Sequence, residues 1–284
     1  RFRAALCRLG CADDRLLCAV SGGPDSLALL LLAQQILPGK LVAATVDHQL
    51  RSESADEAQV VAKICHDLGV PHIILTPEAK IAGNLQSSAR AARYALLERA
   101  ADAQNCQHIG TAHHADDQLE TLLMRLARGS GVDGLSGIRA RNGRVVRPLL
   151  EFTKAELIEI CSSVGIQSVN DPSNANIDFD RVAMRRWLAS TQHPFPANRA
   201  LRSASALADA SDALAWMTDN LAAQRIRQEN DVIICNASDL PSELKRRLLI
   251  RCLRAMDANL APRGEAIDRL LTDLENARTA MIGN

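Results

Sequence analysis

Short apolar runs alternate with amphipathic segments through the first half of the chain. Apolar runs of four to seven residues predict strands at 15–20, 41–46, 70–75 and 107–111. Amphipathic spacing predicts helices at 25–37, 54–68, 85–104 and 115–128. Glycines follow three of these helices, as is typical of helix ends. Strict alternation of strand and helix predicts an α/β fold with an open, mostly parallel sheet and helices on both faces.

The pattern changes after Gly129. Residues 129–148 are rich in Gly and Arg and predict loops with short strands, and Thr153 to Glu156 forms a capping box that opens a helix. Residues 170–180 are rich in Asn and Asp and predict a loop. From about residue 198 the composition favours helices. We therefore predict a catalytic domain at 1–195 and a smaller, mostly helical domain at 196–284.

Composition narrows the class of protein. The chain has 284 residues, and its longest apolar run, residues 27–33, is far too short to cross a bilayer. No charged-then-apolar leader is visible. The eight cysteines include no CxxC pair. These features predict a reduced, cytoplasmic protein without membrane association.

The charge is neutral overall but uneven. Residues 125–154 carry seven Lys or Arg against two acids, and residues 181–202 carry five arginines and no acid. Two local basic stretches favour an anionic partner. The alternative is that these arginines decorate solvated helix faces.

The stretch SGGPDS, residues 21–26, joins the first predicted strand to the first predicted helix. Its glycines let a phosphate approach the backbone, and the helix N-terminus favours an anion. Asp25 would repel a bare phosphate, so its presence implies a bridging Mg²⁺. The spacing fits neither GxxxxGK[ST] nor GxGxxG. The alternative is a tight strand-to-helix turn.

Polar clusters follow two further strands. Asp47 and His48 end the second, and HHADDQLE, residues 113–120, follows the fourth. Ligands in open parallel sheets bind beyond these strand ends. Asp117 and Glu120 are three residues apart on a helix, so they can share a face and hold a metal or an ammonium group. Acids that compensate a helix dipole are the alternative.

Several of these stretches together resemble one known family. SGGPDS is similar to the pyrophosphatase loop of the N-type ATP pyrophosphatases, whose fold is adenine nucleotide alpha hydrolase-like. Within that superfamily, residues 15–190, approximately, resemble the tRNA(Ile)-lysidine synthetase family. The matching stretches are ATVDHQLRSES, ARAARYALLE, TAHHADDQLETLLMRLARGSG, RPLL and NDPSN.

The resemblance implies a ligase that uses ATP and Mg²⁺ on tRNA(Ile) with a CAU anticodon. ATP would adenylate the wobble cytidine at its C2 oxygen and release pyrophosphate. The ε-amine of L-lysine would then attack C2 and expel AMP, which gives lysidine. The resemblance also allows a homodimer.

Roles for individual residues follow from the same resemblance. Asp25, Arg93, His113 and Asp117 are expected to be catalytic, Asp25 also as the metal ligand, and Asp117 with Glu120 would bind lysine. ATP would be bound by Ser21, Gly22, Gly23, Pro24, Asp25, Ser26, Asp47 and His48. The tRNA would be bound by Arg128, Arg139, Arg141, Arg144, Arg147 and Arg185. The alternative for Arg93 is that it pairs with Glu98 or caps its own helix. Trp187 and Trp216 are expected to serve packing rather than base stacking.

One departure and two classes of rival function stand beside this interpretation. Many members carry an Arg-Asn pair where this chain has Arg181 and Val182. A tRNA thiolase, a GMP synthetase or an asparagine synthetase could use the same loop, but a thiolase usually needs catalytic cysteine pairs and the synthetases need a glutaminase. A nucleotide-dependent binding module without chemistry is the rival from a different class.

Overall fold

The computed structural model describes residues 1–47, 54–77, 85–166, 180–190, 192–230, 232–257, 260 and 264–276. His48 and residues 170–179 of the predicted loop lie outside the described residues, while Asp180, the last residue of that predicted loop, begins a helix. The chain divides into two compact units, Arg1–Ala208 and Asp209–Asn284. This division falls within one long helix, and the domain boundary at residue 195 stays a prediction.

Six strands form the sheet of the first unit. They are β1 (Leu16–Ala19), β2 (Leu41–Val46), β3 (His72–Leu75), β4 (His108–Gly110), β5 (Arg141–Asn142) and β6 (Val145–Val146). The order across the sheet is β3-β2-β1-β4-β6-β5, and every pair is parallel except β5 with β6. The predicted open, mostly parallel sheet is confirmed.

Helices cover both faces of this sheet. They are α1 (Phe2–Arg8), α2 (Pro24–Ile36), α3 (Ser54–Asp67), α4 (Leu85–Ala103), α5 (Ala115–Ala127), α6 (Val132–Leu135), α7 (Lys154–Ser163) and α8 (Asp180–Ser190). Leu16 of β1 belongs to the apolar cluster shared with α2, α3 and α7, whereas Leu17 belongs to the cluster shared with α4. Because both faces are buried, β1 reads as a continuous apolar run.

The topology leaves a crevice at one edge of the sheet. The chain leaves β1 for β2 on one side, and β4 later pairs with β1 on the other side, Leu16 standing opposite both Leu41 and His108. The loops that follow β1 and β4 therefore run in opposite directions and leave a crevice between them. Open α/β sheets bind their ligands in such a crevice. The carboxyl ends of β1, β2 and β4 therefore frame the candidate site.

The second unit is mostly helical, as predicted, but also contains a hairpin. Helix α9 (Ala197–Arg225) leads into strands β7 (Ile226–Glu229) and β8 (Val232–Cys235), followed by α10 (Ser242–Met256) and α11 (Gly264–Glu275). The strands are antiparallel, with Ile226 opposite Cys235. In the part of the chain that the structure describes, none of the helices combines the length and apolar content needed to cross a bilayer.

Candidate active site

The loop between β1 and α2, residues 20–23 (the glycine loop), is shaped by its own hydrogen bonds. Gly22 has a φ of 86°, a left-handed conformation that favours glycine. The Ser26 hydroxyl donates to the Gly23 carbonyl at 2.9 Å and accepts from the Ser21 N–H at 3.1 Å. Pro24 occupies the first turn of α2 and needs no N–H partner. The loop thus presents backbone N–H groups at a helix N-terminus, which suits a phosphate group.

Asp25 carries a carboxylate oxygen that fits a metal ligand. Within the described part of the chain, its Oδ1 is buried and has no hydrogen-bond partner, while Oδ2 lies 3.5 Å from His114 Nε2. No group of three or more His, Cys, Asp or Glu side chains among the described residues could hold a metal ion alone. Mg²⁺ is commonly bound by one or two carboxylates together with substrate phosphates. Asp25 fits that pattern as a single protein ligand.

A cavity of about 560 Å³ opens beside the glycine loop. Its volume lies within the usual range for small-molecule sites. Its wall combines residues that follow β1, β2 and β4 with residues of α3, α4 and α8. The polar members of the wall are Ser21, Asp25, Ser26, Thr45, Ser54, Glu57, Arg93, His113, Asp117, Arg181 and Arg185. Eight of the residues that the sequence nominated line this cavity: Ser21, Gly23, Asp25, Ser26, Arg93, His113, Asp117 and Arg185.

Two adjacent histidines follow β4 and differ in protonation. His113 lines the cavity, and its Nδ1 lies 3.1 Å from the Thr111 hydroxyl. Burial lowers the pKa of His113 to about 3, although the nearby Asp117 opposes this shift, so the ring is neutral at pH 7. Burial also favours a neutral His114, but hydrogen bonds to Asp116 and Asp25 and the charge of Asp117 raise its pKa to about 9.

His114 connects two parts of the site and was given no role in the sequence interpretation. It is the N-cap of α5. Its backbone N–H donates to Asp117 Oδ2 at 3.1 Å, and the backbone nitrogen of Asp117 lies 3.4 Å from the ring nitrogen Nδ1 of His114. Nδ1 can accept that second bond only when the ring is neutral. The three carboxylates, Asp25, Asp116 and Asp117, each 3.5 Å from a ring nitrogen, favour the imidazolium instead. His114 therefore ties Asp25 of α2 to the first turn of α5.

Asp117 and Glu120 share a face of α5, as predicted, and both are buried. Each is paired with two arginines of α8. Arg181 contacts Glu120 at 2.9 Å and Asp117 at 3.0 Å, and Arg185 contacts Glu120 at 2.7 Å and Asp117 at 3.2 Å. We call these four residues the charge cluster.

The charges of the cluster shift the pKa values of its members so that the charged forms are favoured. Burial would raise the pKa of Asp117, but the charges of His114 and Arg181 lower it. Burial would lower the pKa of Arg185, but its hydrogen bond to Glu120 raises it. The site is therefore not a purely acidic pocket, and the role of Asp117 and Glu120 in lysine binding stays a prediction.

Asp47 sits just behind the cavity wall. It is buried and accepts a hydrogen bond from the Ser54 hydroxyl at 2.7 Å. Ser54 and Glu57 of α3 line the cavity, whereas Asp47 does not. Asp47 thus fixes the start of α3, and its predicted contact with the nucleotide is untested.

Arg93 of α4 lines the cavity, as expected for a catalytic cation. Burial lowers the pKa of its guanidinium from the ordinary value. The alternative, a pair with Glu98, is not found among the described residues; Glu98 accepts from Arg144 at 3.2 Å, and the Arg93 guanidinium carbon lies 5.9 Å from the centre of the Tyr94 ring.

The arginines predicted to bind tRNA fall into different environments. Arg147 is buried and donates to the Arg139 carbonyl at 2.6 Å, while Arg139 donates to the Ala208 carbonyl at 3.0 Å. Arg141 donates to the Leu9 carbonyl at 2.8 Å. These bonds hold loops together, so they favour a structural role for Arg147 and Arg141.

Arg144, Arg128 and Arg185 complete this set. Arg144 donates to the Gln107 carbonyl just before β4, so it lies at the sheet edge opposite the glycine loop. Arg128 is exposed at the end of α5. Arg185 belongs to the charge cluster. Binding of tRNA by any of the six arginines stays a prediction.

The first unit matches a known family model. The description of that model is "PP-loop domain", and it covers residues 4–192. A tRNA(Ile)-lysidine synthase of Zymomonas mobilis subsp. mobilis is 42% identical over 276 residues, which cover 94% of this chain and 83% of that protein. A tRNA(Ile)-lysidine synthase of Novosphingobium aromaticivorans is 40% identical and covers 99% of this chain and 88% of its own length.

A solved structure has a similar fold. It is the U34-tRNA thiolase NcsA from Methanococcus maripaludis, with a TM-score of 0.59 and 16% identity, over 72% of this chain and 77% of that one. At this identity the likeness concerns the fold alone.

Proposed function

We propose that this chain, which belongs to the tRNA(Ile)-lysidine synthase family of PP-loop proteins, joins lysine to the wobble cytidine of tRNA(Ile) with a CAU anticodon. ATP adenylates the cytidine C2 oxygen, and the bond between the α- and β-phosphates breaks to release pyrophosphate. The ε-amine of free lysine then forms a bond to C2 while the C–O bond to AMP breaks. The product is lysidine.

The observation that carries this proposal is the composition of one cavity wall. The glycine loop, the Asp25 carboxylate with its unpartnered oxygen, and three members of the charge cluster, Asp117, Arg181 and Arg185, line the same space of about 560 Å³. The reaction needs a nucleotide, a base and an amine to meet at one carbon. Groups that suit the nucleotide and the amino acid are present within this wall.

The glycine loop serves the first half-reaction. Ser21, Gly22 and Gly23 would hold the β- and γ-phosphates as they leave, because their backbone approaches closely at the N-terminus of α2. Asp25 Oδ1 would hold Mg²⁺, which when bound screens the phosphate charge. Arg93 would meet the remaining negative charge from the α4 side of the cavity.

The charge cluster serves the second half-reaction. Lysine brings an ammonium, an α-ammonium and a carboxylate, and the cluster offers two carboxylates and two guanidiniums on facing helices. Such a mixed set can exchange internal ion pairs for ion pairs with the amino acid. The amine has to be neutral to attack, and its ordinary pKa is about 10.4. Asp117 and His113 have lowered pKa values and are weak bases, so we expect the rate to rise with pH toward that value.

The geometry disfavours the rival functions. No cysteine lines the cavity among the described residues, whereas a thiolase of the usual kind needs cysteines there. A binding module without chemistry does not need a cluster of four charges beside the nucleotide. Release of AMP separates these cases, because only a ligase makes AMP in a manner that depends on both tRNA and lysine.

The test is a pyrophosphate-release assay on the purified chain. The reaction contains ATP, Mg²⁺ and unmodified tRNA(Ile) with a CAU anticodon, with labelled lysine or without lysine. We expect pyrophosphate release that needs the tRNA, and transfer of label to RNA. Asp25→Asn should lower the rate at least about a hundredfold.

Asp13→Asn is the matched control, because the Asp13 side chain is fully exposed in the same unit. It should keep the wild-type rate. Pyrophosphate release without label transfer would retain the adenylation step and refute lysine as the second substrate. No release with this tRNA would refute the proposal.

A further inference from the structure

Three aromatic rings form a row that starts in the last turns of α8 and continues in the segment leading to α9. Trp187 and His193 have ring centroids 6.3 Å apart with planes at 21°, and His193 and Phe195 have centroids 6.1 Å apart with planes at 17°. These values describe offset, nearly parallel rings. Trp187 is 44% exposed, Phe195 is 42% exposed and Trp216 is 69% exposed, so neither tryptophan is buried in the core as the expected packing role would require.

The row is held rigid by its own backbone. His193 Nδ1 accepts a hydrogen bond from the Phe195 N–H at 3.3 Å, which sets the orientation of the imidazole. Proline precedes and follows Phe195, and each proline fixes one backbone angle. The Ser190 hydroxyl donates to the Trp187 carbonyl at 3.2 Å and closes the end of α8. Rings ordered in advance lose little entropy when a flat ligand stacks on them.

The segment that carries the row is positively charged, which favours a nucleic acid as its ligand. Residues 181–202 contain five arginines and no acid, and Arg186, Arg199 and Arg202 are exposed. Exposed aromatic faces among cations are the usual means of binding single-stranded nucleic acid, because bases stack on rings while phosphates meet arginines.

The aromatic row starts close to the cavity, on another face of a helix that lines it. Trp187 lies on the same helix as Arg181 and Arg185, which line the cavity, but on a different face. A helix with its side chains is about 10–12 Å across. A target base inserted in the cavity would therefore leave its neighbours in the strand within reach of the row.

We infer that Trp187, His193 and Phe195 form a stacking platform for unpaired bases of the tRNA anticodon loop next to the modified cytidine. The inference rests on the proposed function for the identity of the RNA, but not for the stacking itself. It assigns a role to residues 181–202, for which the sequence indicated only an excess of arginine.

Fluorescence tests the stacking directly, because Trp187 and Trp216 are the only tryptophans of the chain. In Trp216→Phe, Trp187 is the sole reporter, and we expect quenching by a stem-loop RNA with a CAU anticodon but not by a blunt duplex of the same stem. In Trp187→Phe, Trp216 should report no quenching. Quenching that is absent for Trp187, or equal for both tryptophans, would overturn the inference.

Kinetics tests the role in the reaction. Trp187→Ala should raise the KM for tRNA by about 5- to 150-fold, the range for loss of one base–aromatic stack. The kcat and the KM for ATP should stay within about twofold, since the cavity is untouched. Trp187→Phe should restore most of the tRNA affinity. Trp216→Ala, in the second unit and 69% exposed, is the matched control and should behave as wild type.

The outcomes separate the two proposals. A wild-type chain without tRNA-dependent pyrophosphate release would refute the proposed function, while the quenching experiment would still decide the platform. An active wild type whose tRNA KM is unchanged by Trp187→Ala would refute the platform alone. Self-association that Trp187→Ala abolishes, without quenching by RNA, would assign the row to a protein contact and overturn the inference.

Discussion

Substitution of Glu120 by glutamine tests whether the charge cluster stabilises the first unit. Glu120 is 4% exposed, and its two carboxylate oxygens accept from Arg181 at 2.9 Å and from Arg185 at 2.7 Å. Glutamine has nearly the same shape but no charge. One of its two terminal groups is an NH₂ that cannot accept a hydrogen bond. The substitution therefore loses one guanidinium contact and weakens the other.

The magnitude follows from these two bonds. A hydrogen bond to a charged group contributes about 1.5–3 kcal/mol, and a neutral one about 0.5–1.5 kcal/mol. One bond lost and one weakened gives about 2.5–4.5 kcal/mol. Because the arginine side chains are 37% and 36% exposed, water screens part of this free energy, and we expect a reduced loss of about 2–3 kcal/mol. That corresponds to a decrease of about 4–10 °C in Tm.

The assay is urea and thermal unfolding followed by circular dichroism, without ligands. Glu151→Gln is the matched control, because Glu151 pairs with Arg8 while both side chains are about half exposed. Exposed pairs contribute at most about 1 kcal/mol. A loss below about 0.5 kcal/mol for Glu120→Gln, or an equal loss for both variants, would refute the reasoning that burial makes these pairs strong.

Three further predictions use the same preparations. The pKa of about 9 for His114 lies above its ordinary value, so its stabilisation is full below pH 6.5 and is lost as pH rises through 9. In Mg²⁺-free buffer the free energy of unfolding should fall by about 3 kcal/mol over that window, and His114→Gln should remove this dependence. Gly22 and Gly39 have φ of 86° and 74°, so an alanine at either should cost about 1–2 kcal/mol, but only Gly22→Ala should raise the KM for ATP. An equal effect of both variants on that KM would contradict the phosphate-binding role of the glycine loop. Arg144→Gln should lower stability by about 1 kcal/mol without changing the KM for tRNA, whereas Arg128→Gln, at an exposed helix end, should raise that KM; the reverse result would show that Arg144 binds RNA.

The sheet and the glycine loop were predictable because local sequence determines them. A strand buried on both faces has to be apolar throughout, which makes β1 and β2 visible as short apolar runs. The left-handed Gly22 and the N-terminal Pro24 are equally local signals. The same logic missed the hairpin of β7 and β8, because three of the four residues of β7 are exposed and polar, which is also typical of a helix surface.

The charge cluster was only half predictable. Helical spacing indicated that Asp117 and Glu120 share a face, but Arg181 lies 61 residues beyond Glu120. Nothing local in the sequence indicates that α8 packs against α5. The same holds for His114, whose contact with Asp25 depends on how α5 packs against α2. The available local signal was the pair of adjacent histidines after the fourth strand. The sequence interpretation assigned a role to His113 and none to His114.

The composition of the cavity wall bears on how the nucleotide arrives. Among the described residues, the wall holds the carboxylates of Asp25, Glu57 and Asp117 and the guanidiniums of Arg93, Arg181 and Arg185. Equal numbers of opposite charges cancel at a distance, and salt screens what remains beyond about 8 Å. Such a cavity cannot steer an anion from afar, so ATP should associate at a rate that hardly depends on ionic strength. The RNA, with one charge per nucleotide, should instead bind more weakly at each increase in salt concentration.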